Sequence, residues 1–309
     1  MVKEKFDGQT LKGVLELAEV KLKQHEKELN RLNVFPVPDG DTGTNMYLTL
    51  QAAKNAVTKL PTNSAATTSA TMARGALLGA RGNSGVILSQ ILRGIAKGLE
   101  AKERFSSLDF ARALHIASET AQRAIVNPVE GTILTVVREA SEKALQWAEK
   151  GANLKQTLVA VVAQARETVK RTPELLPPLK EAGVVDAGGK GLLYVFQGMK
   201  EYIGGKMTKI KVGSLPQATR AVTSPARYGF DLQFLIKGDN LPLEEIRHEI
   251  SQRGESVLVV GDEKLIRVHI HTPDPKPILD YAASLGSLED IQIEDMDEQV
   301  KNLRKQKGG

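Results

Sequence analysis

The stretch Asn33-Val-Phe-Pro-Val-Pro-Asp-Gly-Asp-Thr-Gly-Thr-Asn45 decides how this chain is read. Two carboxylates, Asp39 and Asp41, flank one glycine, and a Thr-Gly-Thr-Asn run leads from them into an apolar, helix-like segment. Carboxylate oxygens on an exposed, rigid loop suit hard divalent cations such as magnesium. Backbone N–H groups at a helix start suit phosphate oxygens. Together they read as a metal–nucleotide site. A run of Pro, Gly and Asp is also what an ordinary turn looks like. A calcium loop of the EF-hand type, counted from Asp39, puts Thr44 where glycine belongs and Leu50 where glutamate belongs, and so fails. Neither Gly-x-x-x-x-Gly-Lys-Ser/Thr nor the His-Arg-Asp set of protein kinases is present.

Further glycine-rich runs favour the site over the turn. Gly79-Ala-Arg-Gly-Asn-Ser-Gly85 opens onto an apolar segment, so Ser84 and Gly85 stand where a helix begins. Glu130-Gly-Thr132 precedes Ile133, and Asp186-Ala-Gly-Gly-Lys-Gly191 precedes Leu192, in the same way. Each run sets small or hydroxyl residues at a helix N-terminus, which offers unpaired N–H donors and the positive end of the dipole. Ordinary caps look alike singly. Four of them in one helical region converge on one anionic ligand.

Taken in order, these runs resemble the L-subunit domain of dihydroxyacetone kinases. They resemble more closely the fatty acid kinase A subunit family, which carries that domain at its N-terminus and a middle domain after it. The resemblance covers roughly residues 1–205 through the motifs and continues beyond them. It implies an eight-helix antiparallel barrel with ATP at one end and magnesium on Asp39, Asp41 and Asn33. Asp39 and Asp41 are the implied catalytic pair. The implied nucleotide-binding positions are Thr42, Gly43, Thr44, Asn45, Asn83, Ser84, Gly85, Gly131, Thr132, Asp186, Ala187 and Gly188. The implied reaction moves a phosphoryl group to the carboxylate of a fatty acid presented by a lipid-carrying partner protein, giving an acyl phosphate. Two rivals stand beside it: a kinase subunit for dihydroxyacetone or a similar alcohol, and a non-catalytic regulator that keeps ADP bound. The family's kinase A subunits carry a further C-terminal domain, whereas this sequence stops at Gly309; truncation, separate encoding and absence all fit.

Composition agrees with an intracellular enzyme. At 309 residues the chain is long enough for about two domains. It has no cysteine, hence no disulfide framework and no thiolate metal site. The N-terminus lacks an apolar signal region, and no apolar run approaches a membrane span, so the cytoplasm is expected and membrane insertion is not. A net charge of +5 mildly favours anionic ligands, but no basic stripe interleaved with aromatics points to nucleic acid. Self-association as a homodimer is left open. The basic run Lys301 to Lys307 reads as a solvated tail.

Residues 1–205 read as helix after helix. Leu11, Val14, Leu15, Ala18 and Leu22 form one buried stripe, as do Leu154, Leu158, Val161, Val162 and Ala165. Short polar separators suit a bundle of about eight antiparallel helices. Residues 206–227 have a linker's composition. Residues 228–309 then change period: strand from Tyr228, helix from Pro242, strands from Ser256 and Leu265, helix from Pro275, strand from Leu288. The order β-α-β-β-α-β is the split, ferredoxin-like arrangement, a small α+β domain. Its apolar residues are expected to be used up in a two-layer core. His269 and His271, two apart on one strand, project from one face. Such pairs serve packing and hydrogen bonding as well as metals. In the fatty acid kinase A family the equivalent pair joins a cysteine of the first strand in a zinc-type site; here Asp231 stands at that position, and a carboxylate with two imidazoles still suits zinc. His25, His115 and His248 read as surface or cap residues without partners.

Overall fold

A computed structural model describes residues 5–205 and 228–307, with side chains to residue 302; the expected linker 206–227 lies outside the described residues. The helical part runs α1 (Gly8–Leu32), α2 (Thr42–Thr58), α3 (Ala65–Leu78), α4 (Gly82–Gly98), α5 (Ser107–Ala124), α6 (Ile133–Glu149), α7 (Leu154–Leu175), α8 (Pro177–Ala182) and α9 (Ala187–Ile203). Eight of these are long, and the short α8 is one added turn. Each long helix packs on the next, and α9 closes on α1, so the helices form a ring. The stripe on α1 is buried as its spacing requires, with Leu15, Ala18 and Leu22 at 2% exposure or less. The helix starts at a capping box between Asp7 and Thr10, which satisfies donors that the first turn cannot pair internally. Among the described residues no helix is long and apolar enough to cross a membrane.

The second part runs β1 (Phe230–Lys237), α10 (Leu243–Ser251), β2 (Glu255–Gly261), β3 (Leu265–Thr272), α11 (Lys276–Ala283), β4 (Ser287–Asp295) and α12 (Met296–Lys307). The four strands form one antiparallel sheet in the order β2-β3-β1-β4, the order a ferredoxin-like chain path produces. Alternation along each strand separates two faces. Leu232, Phe234, Ile236, Val268 and Ile270 pack with Ile246 and Ile250 of α10 and Ile278 of α11. Leu235, Leu258, Val260 and Leu265 point the other way, into the core of the helical ring.

The expectation of a self-contained two-layer core is therefore corrected. The sheet is the middle of three layers, and β1 is buried along almost its whole length because both its faces are covered. Each such side chain contributes about 1.5–3 kcal/mol relative to exposure. Ahead of the basic run, Met296 and Val300 of α12 pack on Val37 of the loop between α1 and α2, while Lys301 and Asn302 are exposed.

Polar groups fix the register of this seam. Arg267 of β3 is 1% exposed; its guanidinium donates to the carbonyls of Ala80 (2.5 Å) and Leu78 (3.2 Å) and to the Asp290 carboxylate at 2.8 Å. Gln233 of β1 accepts the Gly82 N–H at 2.9 Å. Both reach the same turn between α3 and α4. Arg267→Met should lower stability by about 3 kcal/mol, because buried acceptors lose a charged donor while the volume stays filled. Urea unfolding followed by far-UV dichroism measures this; an unchanged midpoint would mean that apolar contacts alone hold the seam.

Candidate active site

The loop between α1 and α2 is braced from inside. Asn33 donates through Nδ2 to the Asp39 carboxylate and to the Val37 carbonyl (3.3 Å), and its Oδ1 accepts the Thr42 hydroxyl at 2.9 Å. Both ends of its amide are thus engaged, which makes Asn33 a brace for Asp39 and leaves Asp39 and Asp41 as the anionic oxygens of the loop. Asp41 accepts from Asn45 Nδ2 at 2.6 Å. The loop is not exposed, as the sequence had implied, but roofed by the sheet. Burial first, then the Asp41 carboxylate beside it, push Asp39 well above the ordinary carboxylate range. Burial raises Asp41 as well, against the pull of its hydrogen bonds.

The roof brings the second constellation onto the first. Asp231 of β1 pairs in register with His271 of β3, and Gln233 with His269, so these side chains share the face turned toward the helical ring. Asp231, His269 and His271 offer ligand atoms within 4.8 Å of one another, all of them buried. His269 Nδ1 lies 3.1 Å from Asp231 Oδ1, yet neither atom is aligned for a hydrogen bond, and His269 Nε2 also has no partner among the described residues. Burial opposes ionisation of Asp231, but His269 and His271 outweigh it and hold the carboxyl below its usual range. His271 is pushed down to about 4, by burial and then by His269.

A single cavity of about 520 Å³ joins the two groups. It is lined by Asn33, Asp39, Asp41, Thr42, Asn45, Asn83, Ser84, Thr132, Asp186 and Gly188 from the helical ring and by Asp231, His269 and His271 from the sheet. The remaining sequence-derived positions do not line it. Gly43 and Thr44 face α1, where their N–H groups are already bound. Gly85 packs against Thr49, and Gly131 uses its N–H on Thr135 Oγ1 at 2.8 Å. Ala187 belongs to a small apolar cluster with Leu179 and Val184. In this structure these five make packing and turn contacts away from the cavity lining. The reading of His25 as partnerless is corrected: it lies 2.9 Å from Glu28 and stacks on Tyr194 at 3.8 Å.

Sequence reading missed Gln233, Arg267 and the segment Gly254 to Leu258 on the cavity wall. A signal existed for the first two. Asp231 and Gln233, and Arg267, His269 and His271, place polar residues at period two on strands whose other face is apolar up to the terminal Thr272 of β3.

These features define a ring of helices and a small α+β domain that share one cavity, and family comparison recognises the same two domains. The DAK2 domain family matches residues 36–201, and the middle-domain family of fatty acid kinase A-like subunits matches residues 227–303. The chain belongs to the DAK2 domain family and joins that domain to a fatty acid kinase A-like middle domain. Protein YloV of Bacillus subtilis is 40% identical over 314 residues, across 96% of this chain and 57% of its own length. An uncharacterized protein of Staphylococcus saprophyticus is 37% identical across 97% of this chain and 57% of its own. The chain thus spans 57% of the length of these relatives. Among solved structures, a dihydroxyacetone kinase from C. freundii, in complex with AMP-PNP and Mg2+, covers 62% of this chain and 33% of its own at 20% identity, with a TM-score of 0.47.

Asp186 gives this site a pH signature. It caps α9 through a bond from the Gly189 N–H at 2.6 Å, and burial raises its pKa from 3.8 to about 6. The folded state therefore holds this proton more tightly; the stabilisation is full below pH 3.8 and lost as pH rises through about 6. His271 acts in the opposite sense, lost as pH falls from 6.5 toward 4, but is common to both proteins compared. Asp186→Asn keeps the capping oxygen, so relative to wild type it should gain on the order of 2–3 kcal/mol between pH 4 and 7. Urea unfolding at both pH values tests this; a constant difference would show that Asp186 does not titrate there.

Proposed function

We propose that this chain is the nucleotide-binding subunit of a kinase that transfers the γ-phosphoryl group of ATP to the carboxylate of a fatty acid presented by a separate lipid-carrying protein. The observation that carries this reading is the shared cavity, in which Asp39 and Asp41 face Asp231, His269 and His271. Its volume of about 520 Å³ lies in the range of small-molecule sites. Membership of the DAK2 domain family supports the kinase class, and the middle-domain match supports the fatty acid branch over an alcohol kinase.

The residues divide the work as follows. Asp39 and Asp41 fit a magnesium ion by donor chemistry: two adjacent carboxylates in an enclosed loop, both raised by desolvation and Asp39 further by Asp41, suit a hard dication. Magnesium bound there would neutralise phosphate charge and orient the γ-phosphate. Asn83 and Ser84 at the start of α4, with Thr132 and Gly188, line the wall along which phosphates would lie. Asp231, His269 and His271 fit a zinc-type ion, since buried ring nitrogens and a carboxylate oxygen there lack hydrogen-bond partners. Such an ion would supply a Lewis acid beside the acceptor. A carboxylate acceptor is already anionic near neutral pH and needs no general base. Its oxygen forms the new bond to the γ-phosphorus as the bridge to the β-phosphate breaks, releasing ADP and an acyl phosphate. With substrates bound, the sheet above the loop would limit access of water, which would otherwise compete as acceptor.

The assay is acyl-phosphate formation from ATP, magnesium and fatty acid, with and without the carrier. Mg-ATP should bind to the chain alone, and free fatty acid should be turned over poorly. Robust carrier-free turnover would place an acyl site in these residues and overturn the division of labour. Asp41→Asn should weaken Mg-ATP binding about 10-fold or more and leave melting unchanged or slightly raised, because one of two repelling carboxylates is removed. Calorimetric titration checks this; intact affinity with a collapsed melting point would make the loop structural. Elemental analysis of protein purified without added metal, beside His271→Ala, tests the zinc assignment, which fails if no stoichiometric metal is found.

A further inference from the structure

Six of the long helices in the ring carry their own N-terminal cap. The side chains of Asp7, Ser64, Ser106, Thr132, Asn153 and Asp186 each accept a backbone N–H of the following turn. The other two long helices are α2 and α4, whose N-cap residues Asp41 and Arg81 make no such bond. Both begin at the cavity that Asp39 lines, as do α6 and α9, which keep their own caps.

An aspartate at an N-cap ordinarily folds its carboxylate back onto the N–H of the second or third helical residue. At Asp41 those donors are taken. Asn30, near the end of α1, accepts through Oδ1 from the N–H of Gly43 at 2.7 Å and of Thr44 at 3.1 Å. Its Nδ2 donates to Thr44 Oγ1 at 3.0 Å, and the Thr44 hydroxyl donates to Glu26 at 2.9 Å. A Cβ at position 43 would meet the Glu26 carbonyl at 2.3 Å and Asn30 Oδ1 at 2.8 Å, so glycine is what lets α1 come this close. At α4 the N–H of the first helical residue, Gly82, is likewise bound from another element, by Gln233 of the sheet.

We propose that Asn30 is a positioning residue: a cap lent by α1 that occupies the first N–H donors of α2 and so keeps the Asp41 carboxylate turned into the cavity beside Asp39, free to bind a divalent cation. The proposal rests on the reading of Asp39 and Asp41 as cation ligands. It has a consequence that a purely structural brace does not. Without Asn30 the cap changes owner: the Asp41 carboxylate swings onto the N–H groups of Gly43 and Thr44, the helix stays capped, and the cavity loses one of its anionic oxygens. Stability and cation affinity then part company.

The test uses the full chain and Mn2+ as probe, with binding followed by electron paramagnetic resonance and folding by thermal melting. Asn30→Ala should weaken Mn2+ binding about 10-fold or more, with little change in melting. Asn30→Asp, which keeps the accepting oxygen, should restore most of the affinity. Asp41→Asn should weaken binding similarly, and the Asn30→Ala/Asp41→Asn double variant should be no worse than Asp41→Asn alone, since both remove the same oxygen. The proposal is overturned if Asn30→Ala binds Mn2+ like wild type while Asp41→Asn does not, or if the two losses add. It is also overturned if Asn30→Ala loses affinity only in step with a large fall in melting temperature. Wild-type affinity in Asp41→Asn would instead overturn the cation site itself, and this proposal with it.

Discussion

Everything about the site depends on how the sheet is seated on the helical ring. Arg267 and Gln233 reach one turn, between α3 and α4, and bind it by its carbonyls and by the N–H of Gly82. A buried guanidinium is costly unless most of its donors are paired; Arg267 binds three acceptors through its two terminal nitrogens and leaves only Nε without a partner among the described residues, so it admits few placements of the sheet. Once this register is set, Asp231, His269 and His271 must face the loop of Asp39 and Asp41. Gln233 ties the two ends together, because its Nε2 donates to Asp231 at 2.9 Å while its Oε1 holds α4.

The electrostatics follow from that enclosure. Carboxylates on an open loop would ionise normally; under the sheet, Asp39 and Asp41 rise. Across the cavity, imidazoles pull Asp231 down. Such opposed shifts at close quarters are typical of sites built to bind or move charge, although structural ion pairs produce them too. The contrast lies on the outer side of α1. There Glu28 is held at about 2 against its burial by His25, Lys190 at 2.6 Å and Tyr194 at 2.7 Å. That cluster is fully paired and fastens α1 to α9. The groups at the seam keep unpaired atoms and face a cavity.

Much of this was legible in the sequence, for reasons that can be named. Helix stripes and strand alternation report local geometry, so a helical bundle and the β-α-β-β-α-β order were readable, whereas closure of the helices into a barrel came only from the family resemblance. Glycine-rich runs mark helix starts, and Thr42, Asn45, Asn83, Ser84, Thr132, Asp186 and Gly188 from those runs line the cavity. What those runs could not reveal is where each donor goes. Gly43 and Thr44 look like phosphate binders along the chain, and only the approach of α1 shows Asn30 already occupying them. Gly85, Gly131 and Ala187 sit at helix starts too, but their neighbours belong to other helices. Sequence spacing likewise could not say that two constellations far apart in the chain form one site. It depends on which face of the sheet meets the ring, and both faces of β1 and β3 are nearly as buried.

That the two constellations share one cavity is the central claim, and a paramagnetic probe tests it most directly. With histidine side chains isotopically labelled and one equivalent of Mn-ATP bound, the ring resonances of His269 and His271 should broaden beyond detection, whereas those of His115 and His248, which do not line the cavity, should persist. Sharp His269 and His271 signals in the saturated complex would contradict the claim, because they would place the nucleotide's metal away from the sheet.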